Sequence, residues 1–292
     1  MKTEKKSKST EDGITLYRSR SIPLVERILN VYIDQNIGDL KKKVYTKTLQ
    51  IQGSSNEPLV NLFHRNVRNQ SLEWERYNDG DAHRINNSDV YLKRDVYVRH
   101  TVAQKLVHVD EQLKKQGYNL FVRSGYRHPQ VQEMRYAVSV EKFGEAHARS
   151  RFAVREDLSG DSSYPHATGG VVDVEIWAND QRIPMGGKGV PIGTFDLELL
   201  FSQDPIHAKA KQILLETKLP EGILDVPAHW EEYLKNRRLL YHVMRESGFY
   251  FILGEFWHWG MGDHLSGVAA YLLGDDNYNP WYGLAEYPKT EQ

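Results

Sequence analysis

Residues 161–177 read DSSYPHATGGVVDVEIW, a polar turn that runs directly into an alternating segment. Between Gly170 and Trp177 the apolar residues recur at every second position, which predicts a β-strand with one buried face. Asp173 would lie on the opposite face of this strand. His166 precedes the strand, and the Gly-Gly pair between the two residues allows the backbone to bring His166 back towards Asp173.

The segment GEFWHW (254–259) places Glu255 and His258 directly after a predicted apolar strand, Phe249–Leu253. Burying either side chain without a partner is costly. A metal ion resolves this cost, because His258 would bind the ion and Glu255 would take a proton from the metal-bound water. The alternative for Glu255 is a buried acid paired with an arginine, and for Trp257 we favour plain core packing.

Together the two segments predict one metal site. Zinc in hydrolases usually has three protein ligands and one open position for water, and the chain has no cysteine whose thiolate could compete. We therefore expect one zinc ion per chain, bound by His166, Asp173 and His258. The alternative is an ordinary loop histidine beside a strand-edge carboxylate. His264 is a further candidate ligand, for which a surface role is favoured.

Arg127 is the candidate for stabilising negative charge during a reaction. It lies in the turn RSGYRHP (123–129), between a predicted strand at 118–122 and a helix opened by Pro129. A guanidinium at such a strand-to-helix turn can bind a developing oxyanion, and losing one such donor costs roughly 3–4 kcal/mol. Arg123 competes for this role, and an arginine that binds a surface carboxylate is the alternative.

Two amphipathic helices are predicted from apolar residues at steps of three and four. The first ends at Gly117, and its apolar face comprises Val98, Val102, Leu106, Val109 and Leu113. The second begins near Pro227, with Asp225 as a candidate cap, and ends at Gly248.

The other segments are less regular. Residues 43–52 alternate like a strand, whereas 66–89 and 179–193 are rich in turn-forming residues and predict loops. Strands and helices are interspersed without a regular βαβ rhythm, which favours the α+β class.

Composition narrows the classes of function. The chain has 292 residues and a net charge of −1, so no basic field indicates a nucleic-acid partner. No apolar run reaches the ~18–20 residues that span a bilayer. Residues 1–13 are charged and predict a disordered tail. No apolar segment follows this tail, so no secretory signal is expected.

Five short motifs follow one another between about Tyr91 and His258. They are Ser-Gly-Tyr-Arg (124–127), Ser-x-x-x-His-x-x-Gly-x-x-x-Asp (162–173), Asn-Arg-Arg-Leu-Leu (236–240), Glu-Ser-Gly-Phe (246–249) and Glu-x-Trp-His (255–258). In this order and at this spacing they resemble the zinc D-alanyl-D-alanine dipeptidases of the vancomycin-resistance type. That family belongs with the D,D- and L,D-carboxypeptidases of cell-wall metabolism.

The resemblance implies a central antiparallel sheet flanked by helices, with a single zinc site. His166, Asp173 and His258 would be the zinc ligands, Glu255 the catalytic base and Arg127 the group that stabilises the tetrahedral intermediate. The substrate would be free D-Ala-D-Ala in the cytoplasm, or a peptidoglycan fragment in the periplasm if a leader had been removed.

Residues 91–292 would then form the zinc peptidase domain, with residues 14–90 as an N-terminal extension packed on it. Two rival functions stay open. One is a zinc D,D- or L,D-carboxypeptidase that trims peptidoglycan stem peptides, since the segments that would close a dipeptide pocket differ from those of the family. The other is a non-catalytic, zinc-stabilised binding module, against which the presence of Glu255 argues. The sequence does not indicate an oligomeric state.

Overall fold

The computed structural model of the protein has an α+β architecture, as predicted, in which a largely antiparallel sheet is flanked by helices. The residues that it describes are 16–34, 57–62, 68–69, 96–145, 165–186, 190–191, 193–219 and 226–286. The predicted tail at 1–13, the predicted strand at 43–52 and the candidate cap Asp225 lie outside the described residues. The division of the chain near residue 90 stays a prediction.

The described helices and strands follow one another along the chain with no repeating strand–helix unit. The helices are α1 (Glu26–Asp34), α2 (His100–Lys114), α3 (Pro129–Phe143), α4 (Asp196–Phe201), α5 (Ala208–Lys218), α6 (Trp230–Glu246) and α7 (His264–Leu272). The strands are β1 (Leu59–Asn61), β2 (Arg68–Asn69), β3 (Tyr97–Arg99), β4 (Asn119–Ser124), β5 (Val171–Ala178), β6 (Gln181–Arg182), β7 (Tyr250–Ile252) and β8 (Glu255–Gly260). Short 3₁₀ turns occupy Pro165–Thr168 and Pro205–His207.

The main sheet has the strand order β2-β4-β5-β8-β7, and β6 pairs with the end of β5. Its neighbouring strands are antiparallel except for β2 and β4, which are parallel. Strands β1 and β3 form a separate antiparallel pair. Because β5 lies between β4 and β8, the alternating segment predicted from the sequence is the centre of the sheet.

The alternation of β5 decides where the core lies. Val172, Val174 and Ile176 are fully buried, and they pack in one cluster with the apolar faces of α2 and α6. This confirms the predicted strand, but its other face is largely buried as well, because Val171 and Glu175 are 0% and 2% exposed. Ile28 and Leu62, which precede residue 90, belong to the same cluster, so these parts of the chain share apolar burial with the sheet.

Local signals located three helix ends. Gly117 and Gly248 have φ angles of +81° and +92°, which glycine adopts without steric penalty as it ends a helix. Helix α3 begins at Pro129, as predicted. The prediction that α2 includes Val98 was wrong, because the helix begins at His100 and Val98 lies in β3. Val98 is nevertheless fully buried.

Three predictions at strand positions need correction. The predicted loop at 66–89 contains the short strand β2, and the predicted loop at 179–193 begins with β6. Asn179 and Asp180 have φ angles of 49° and 59°, a two-residue hairpin turn that the sequence pattern concealed. The segment GEFWHW is not the end of the preceding strand, because β8 returns antiparallel to β7.

Arg237 of α6 is a buried clamp on the loop that follows β6. It is 2% exposed, and its guanidinium donates to the carbonyls of Met185 (2.8 Å), Pro191 (2.8 Å) and Gly193 (2.9 Å). It also lies 4.4 Å from the centre of the Phe256 ring. Burial lowers the pKa of Arg237 to about 9, against the opposing charge of Asp196, so the side chain stays protonated at neutral pH.

We expect Arg237→Lys to lower the free energy of unfolding by about 2–4 kcal/mol, measured by denaturant titration. A lysine ammonium cannot reach all three carbonyls, and a buried carbonyl without a donor is destabilising. Arg20→Lys is the control, since Arg20 is 56% exposed in its side chain and 3.7 Å from Glu246. Its effect should stay below about 0.5 kcal/mol. Equal losses in both variants would contradict the clamp.

Candidate metal centre

The register of the central strands places a carboxylate opposite an imidazole. Asp173 in β5 pairs with His258 in β8 and, on its other side, with Ser124 in β4. Directly paired side chains on one face are close neighbours, and here Oδ1 of Asp173 lies 3.3 Å from Nδ1 of His258. The side chains of both residues are largely buried.

His166 reaches the same place from the turn before β5. It lies in the 3₁₀ turn Pro165–Thr168 and is 5% exposed. Gly169, with a φ of +72°, turns the chain into the strand. Nε2 of His166 lies 3.6 Å from Oδ2 of Asp173. This confirms the expectation that His166 stands on the turn and faces the carboxylate from outside the strand.

A backbone carbonyl fixes the tautomer of His166. Its Nδ1 lies 2.7 Å from the carbonyl oxygen of Gly125. Since a carbonyl only accepts, Nδ1 carries the hydrogen and Nε2 presents its lone pair towards Asp173. Such a bond to the non-ligating nitrogen is the usual support of a metal-binding histidine. No sequence pattern marked Gly125, since the carbonyl comes from its backbone.

The donor set fits a small divalent cation. One ligand atom from each of His166, Asp173 and His258 lies within 4.8 Å of the others. Ligands bound at zinc distances in a tetrahedron are about 3.4 Å apart. Here His258 lies 3.3 Å from Oδ1 of Asp173 and His166 lies 3.6 Å from Oδ2. Among the described residues, Oδ1 of Asp173 is buried without a hydrogen-bond partner, as expected of an atom that binds an ion.

The electrostatic environment prepares two of these groups for a cation. Burial, reinforced by the charge of Arg127, lowers the pKa of His166 to about 4, so its ring is neutral at pH 7. Burial alone would raise the pKa of Asp173, but the two imidazoles outweigh it and hold that pKa well below its usual range. Burial likewise opposes protonation of His258, yet the carboxylate of Asp173, 3.3 Å from its Nδ1, raises its pKa.

Arg127 is held beside the same carboxylate. It is 8% exposed, and its Nη1 donates to Oε1 of Gln132 (2.8 Å) while Nη2 donates to Oγ of Ser124 (3.2 Å). Nη2 also lies 3.9 Å from Oδ2 of Asp173. Ser124 is the first residue of the Ser-Gly-Tyr-Arg motif, but no role was predicted for it, and Gln132 was not singled out from the sequence.

Arg123 binds a carboxylate of the protein, which is the kind of role given above as the alternative to catalysis. Its Nη1 lies 3.0 Å from Oε1 of Glu175, which is also 3.1 Å from Nη2 of Arg182. Glu175 is 2% exposed, so two guanidinium groups compensate one buried carboxylate. Of the two competing arginines, only Arg127 therefore stands at the cluster of candidate ligands.

An irregularity in β8 brings Glu255 next to His258. Residues three apart in a regular strand point to opposite faces. Here Phe251 pairs with Trp259, but Ile252 pairs with Glu255, so residues 256–258 bulge out of the β7–β8 ladder. Oε2 of Glu255 consequently lies 3.6 Å from Nδ1 of His258, with the carboxylate side chain 30% exposed.

The neighbouring residues of this strand have packing roles. Trp257 is partly buried against the core and contacts the Phe256 ring edge-on at 4.9 Å, consistent with the favoured core packing. His264, for which a surface role was favoured, is 5% exposed at the start of α7, so that interpretation was wrong. It is outside the three-residue ligand group.

Comparison with known proteins adds no relative. No protein-family model matches the chain, and no curated protein matches it. Within the part of the chain that the structure describes, no helix has both the length and the apolar character needed to cross a bilayer.

Metal binding tests the site directly. We expect the purified protein to bind one zinc ion per chain, and His258→Gln to weaken binding by more than the roughly 10–100-fold typical of losing an outer partner. His108→Gln is the matched control, because His108 is exposed on α2 and its Nε2 lies 3.5 Å from the side-chain amide of Gln112, away from the ligand group. Chelator-competition titration gives both dissociation constants. Equal zinc affinity in the two variants would rule out His258 as a ligand.

Proposed function

We propose that the protein is a zinc-dependent peptidase that hydrolyses D-alanyl-D-alanine. The observation that carries the proposal is the convergence of His166, Asp173 and His258, with Glu255 and Arg127 at its edge. Two imidazoles and a carboxylate are a common donor set of hydrolytic zinc sites, which leave one position open. A structural zinc site would have no use for an adjacent base.

When bound, zinc lowers the pKa of a coordinated water towards ~7 and polarises a carbonyl oxygen. The protein residues then have separate tasks. His166 presents a neutral ring nitrogen, because the carbonyl of Gly125 fixes its tautomer, and His258 would be the second imidazole ligand. Asp173 contributes the negative charge that keeps a divalent cation in a largely buried place.

Glu255 is the proposed general base. Its carboxylate lies beside the ligand His258 and is partly open to solvent, so it can contact both an attacking water and the substrate. Glu255 accepts the proton from that water and returns it to the leaving amine. The hydroxyl of Thr194 donates to the carbonyl of Glu255 at 3.1 Å, which fixes the backbone from which the base extends.

Arg127 is the proposed oxyanion donor. Its bonds to Gln132 and Ser124 hold the guanidinium in one orientation. A donor fixed before the reaction stabilises developing charge without reorganising, which is the main source of such catalysis. Its distance from Asp173 places the guanidinium next to the ligand group, where the carbonyl of a bound peptide would carry negative charge.

The choice of a free dipeptide is supported by the motif resemblance and by the packing of the C-terminal segment. The backbone N–H of Ala285 donates to the carbonyl of Ala167 at 2.8 Å, and the Tyr126 hydroxyl donates to the carbonyl of Ala285 at 3.2 Å. Ala167 follows His166 and Tyr126 precedes Arg127, so the tail packs on two segments that carry site residues. Chain packed this near to the site favours a free dipeptide over a peptidoglycan strand as the proposed substrate. A D,D- or L,D-carboxypeptidase is the rival.

Replacing the base should separate metal binding from turnover. We expect Glu255→Gln to retain zinc and to lower the rate of D-Ala-D-Ala hydrolysis by about 10²–10⁴-fold, the contribution of a positioned base. Amine release from the dipeptide and from a pentapeptide ending in D-Ala-D-Ala is followed in parallel. Glu216→Gln on α5, whose carboxylate accepts from exposed Gln212, should leave the rate unchanged.

The substrate pair decides between the rivals. Cleavage of the pentapeptide alone would replace the dipeptidase by a carboxypeptidase. Full activity of Glu255→Gln would remove Glu255 as the base. Zinc binding by the wild-type protein without hydrolysis of either peptide would favour the zinc-stabilised binding module.

The two arginines of the turn offer a matched comparison. We expect Arg127→Lys to lower kcat/KM on the order of 10²-fold with zinc retained, because a lysine cannot reproduce the fixed donor. Arg123→Lys should lower stability and leave kcat/KM within about twofold, since Arg123 binds Glu175. Steady-state kinetics give kcat/KM and thermal unfolding gives the stability of both variants. A larger loss of kcat/KM in Arg123→Lys than in Arg127→Lys would transfer the catalytic role to Arg123.

A further inference from the structure

Arg99 joins three remote parts of the chain behind the metal centre. It ends β3 and is 5% exposed. Its Nε donates to the carbonyl of Thr168 at 2.7 Å, Nη1 to the carbonyl of Glu57, and Nη2 to the carbonyl of Gly283 at 3.2 Å. Its guanidinium carbon also lies 5.3 Å from the centre of the Tyr282 ring. These donors serve protein carbonyls, so Arg99 has no part in the chemistry proposed above.

One of these contacts is on the turn that carries His166. Thr168 closes the 3₁₀ turn two residues after His166, and the backbone N–H of Arg99 donates to the carbonyl of the following residue, Gly169, at 2.9 Å. Arg99 therefore binds two consecutive carbonyls of this turn, one with its side chain and one with its backbone. The remaining side-chain bonds attach the turn to the segment at 57–62 and to the tail at 281–286.

Strand β3 also supports the other group that orients His166. The carbonyl of Tyr97 accepts the backbone N–H of Tyr126 at 2.6 Å. Gly125 packs so closely on Tyr97 that a Cβ at this position would collide with its carbonyl oxygen. The Gly125 carbonyl binds Nδ1 of His166, so both the turn and the acceptor that define the ring rest on the same short strand.

We propose that Arg99 is a positioning residue of the metal centre. It sets zinc affinity by fixing the His166 turn to the segments at 57–62 and 281–286. The inference rests on the proposed zinc site and deepens it. Metal ligands must be held within about 0.5 Å of their binding geometry, and loss of outer support typically weakens metal affinity about 10–100-fold. The His166 turn lies outside the strand ladder of β5, so its position depends on bonds from other segments.

The test compares zinc affinity in full-length wild type, Arg99→Lys and Arg99→Met by chelator competition. We expect Arg99→Met to raise the zinc dissociation constant about 10–100-fold. Arg99→Lys should raise it less, since an ammonium can keep one of the carbonyl bonds. The absorption spectrum of the cobalt-substituted protein reports ligand geometry independently of turnover, and it should change in both variants.

Arg238→Met is the control for general loss of stability. Arg238 makes a two-pronged ion pair with Glu198 at 2.8 and 2.7 Å and contacts none of the proposed ligands in the described residues. It should lower the unfolding temperature and leave the zinc dissociation constant and the cobalt spectrum unchanged. Where Arg99→Met fails to fold, Arg99→Lys decides.

The possible outcomes are distinct. Wild-type protein that binds no zinc overturns the proposed function, and this inference with it. If the wild-type protein binds zinc and the dissociation constants of the Arg99 variants stay within twofold of the wild-type value, the positioning role alone is overturned. Equal weakening in the Arg238 control assigns the effect to stability and also overturns that role.

Discussion

A carboxylate in the central strand of a sheet must be compensated, and the compensation of Asp173 organises the site. Its strand is covered on one face by the core, and the carboxylate emerges on the other face between two imidazoles and a guanidinium. Removing a carboxylate from water costs several kcal/mol unless hydrogen bonds or opposite charge replace the solvent. His258 and Arg127 supply part of that replacement, and a cation bound between the carboxylate and the Nε2 lone pair of His166 would complete it.

The side chains of the site have a fixed geometry because each is held by neighbouring residues of the fold. His258 and Asp173 face each other through strand pairing, so their separation follows from the sheet. His166 has no such support and depends on the Gly125 carbonyl and on β3. Glu255 reaches the ligands only because β8 bulges, and bulges recur where a strand must redirect a side chain.

Two buried arginines join irregular chain to the regular core. Arg237 binds the carbonyls of the loop after β6, and Arg99 binds those of the His166 turn and of two remote segments. A buried loop has backbone carbonyls with no ladder partner, and these must find donors. The planar guanidinium supplies several donors at fixed angles, which makes it suited to joining segments that share no secondary structure.

Features that depend on short-range periodicity could be predicted from the residues alone. The alternation of β5, the glycines that end α2 and α6 and the proline that opens α3 could all be located from adjacent residues. The residue types at 166, 173 and 258 also predicted the group that the fold brings together. Strand register and remote contacts were visible only in the tertiary structure. It shows Arg127 beside Asp173 and Arg123 on Glu175, GEFWHW as a separate bulged strand, and the hydrogen bonds of Gly125 to His166 and of Arg99 to Thr168. Those features depend on strand register and on contacts between remote segments, and such contacts leave no periodic signal in the chain because they are made by single residues and by backbone carbonyls.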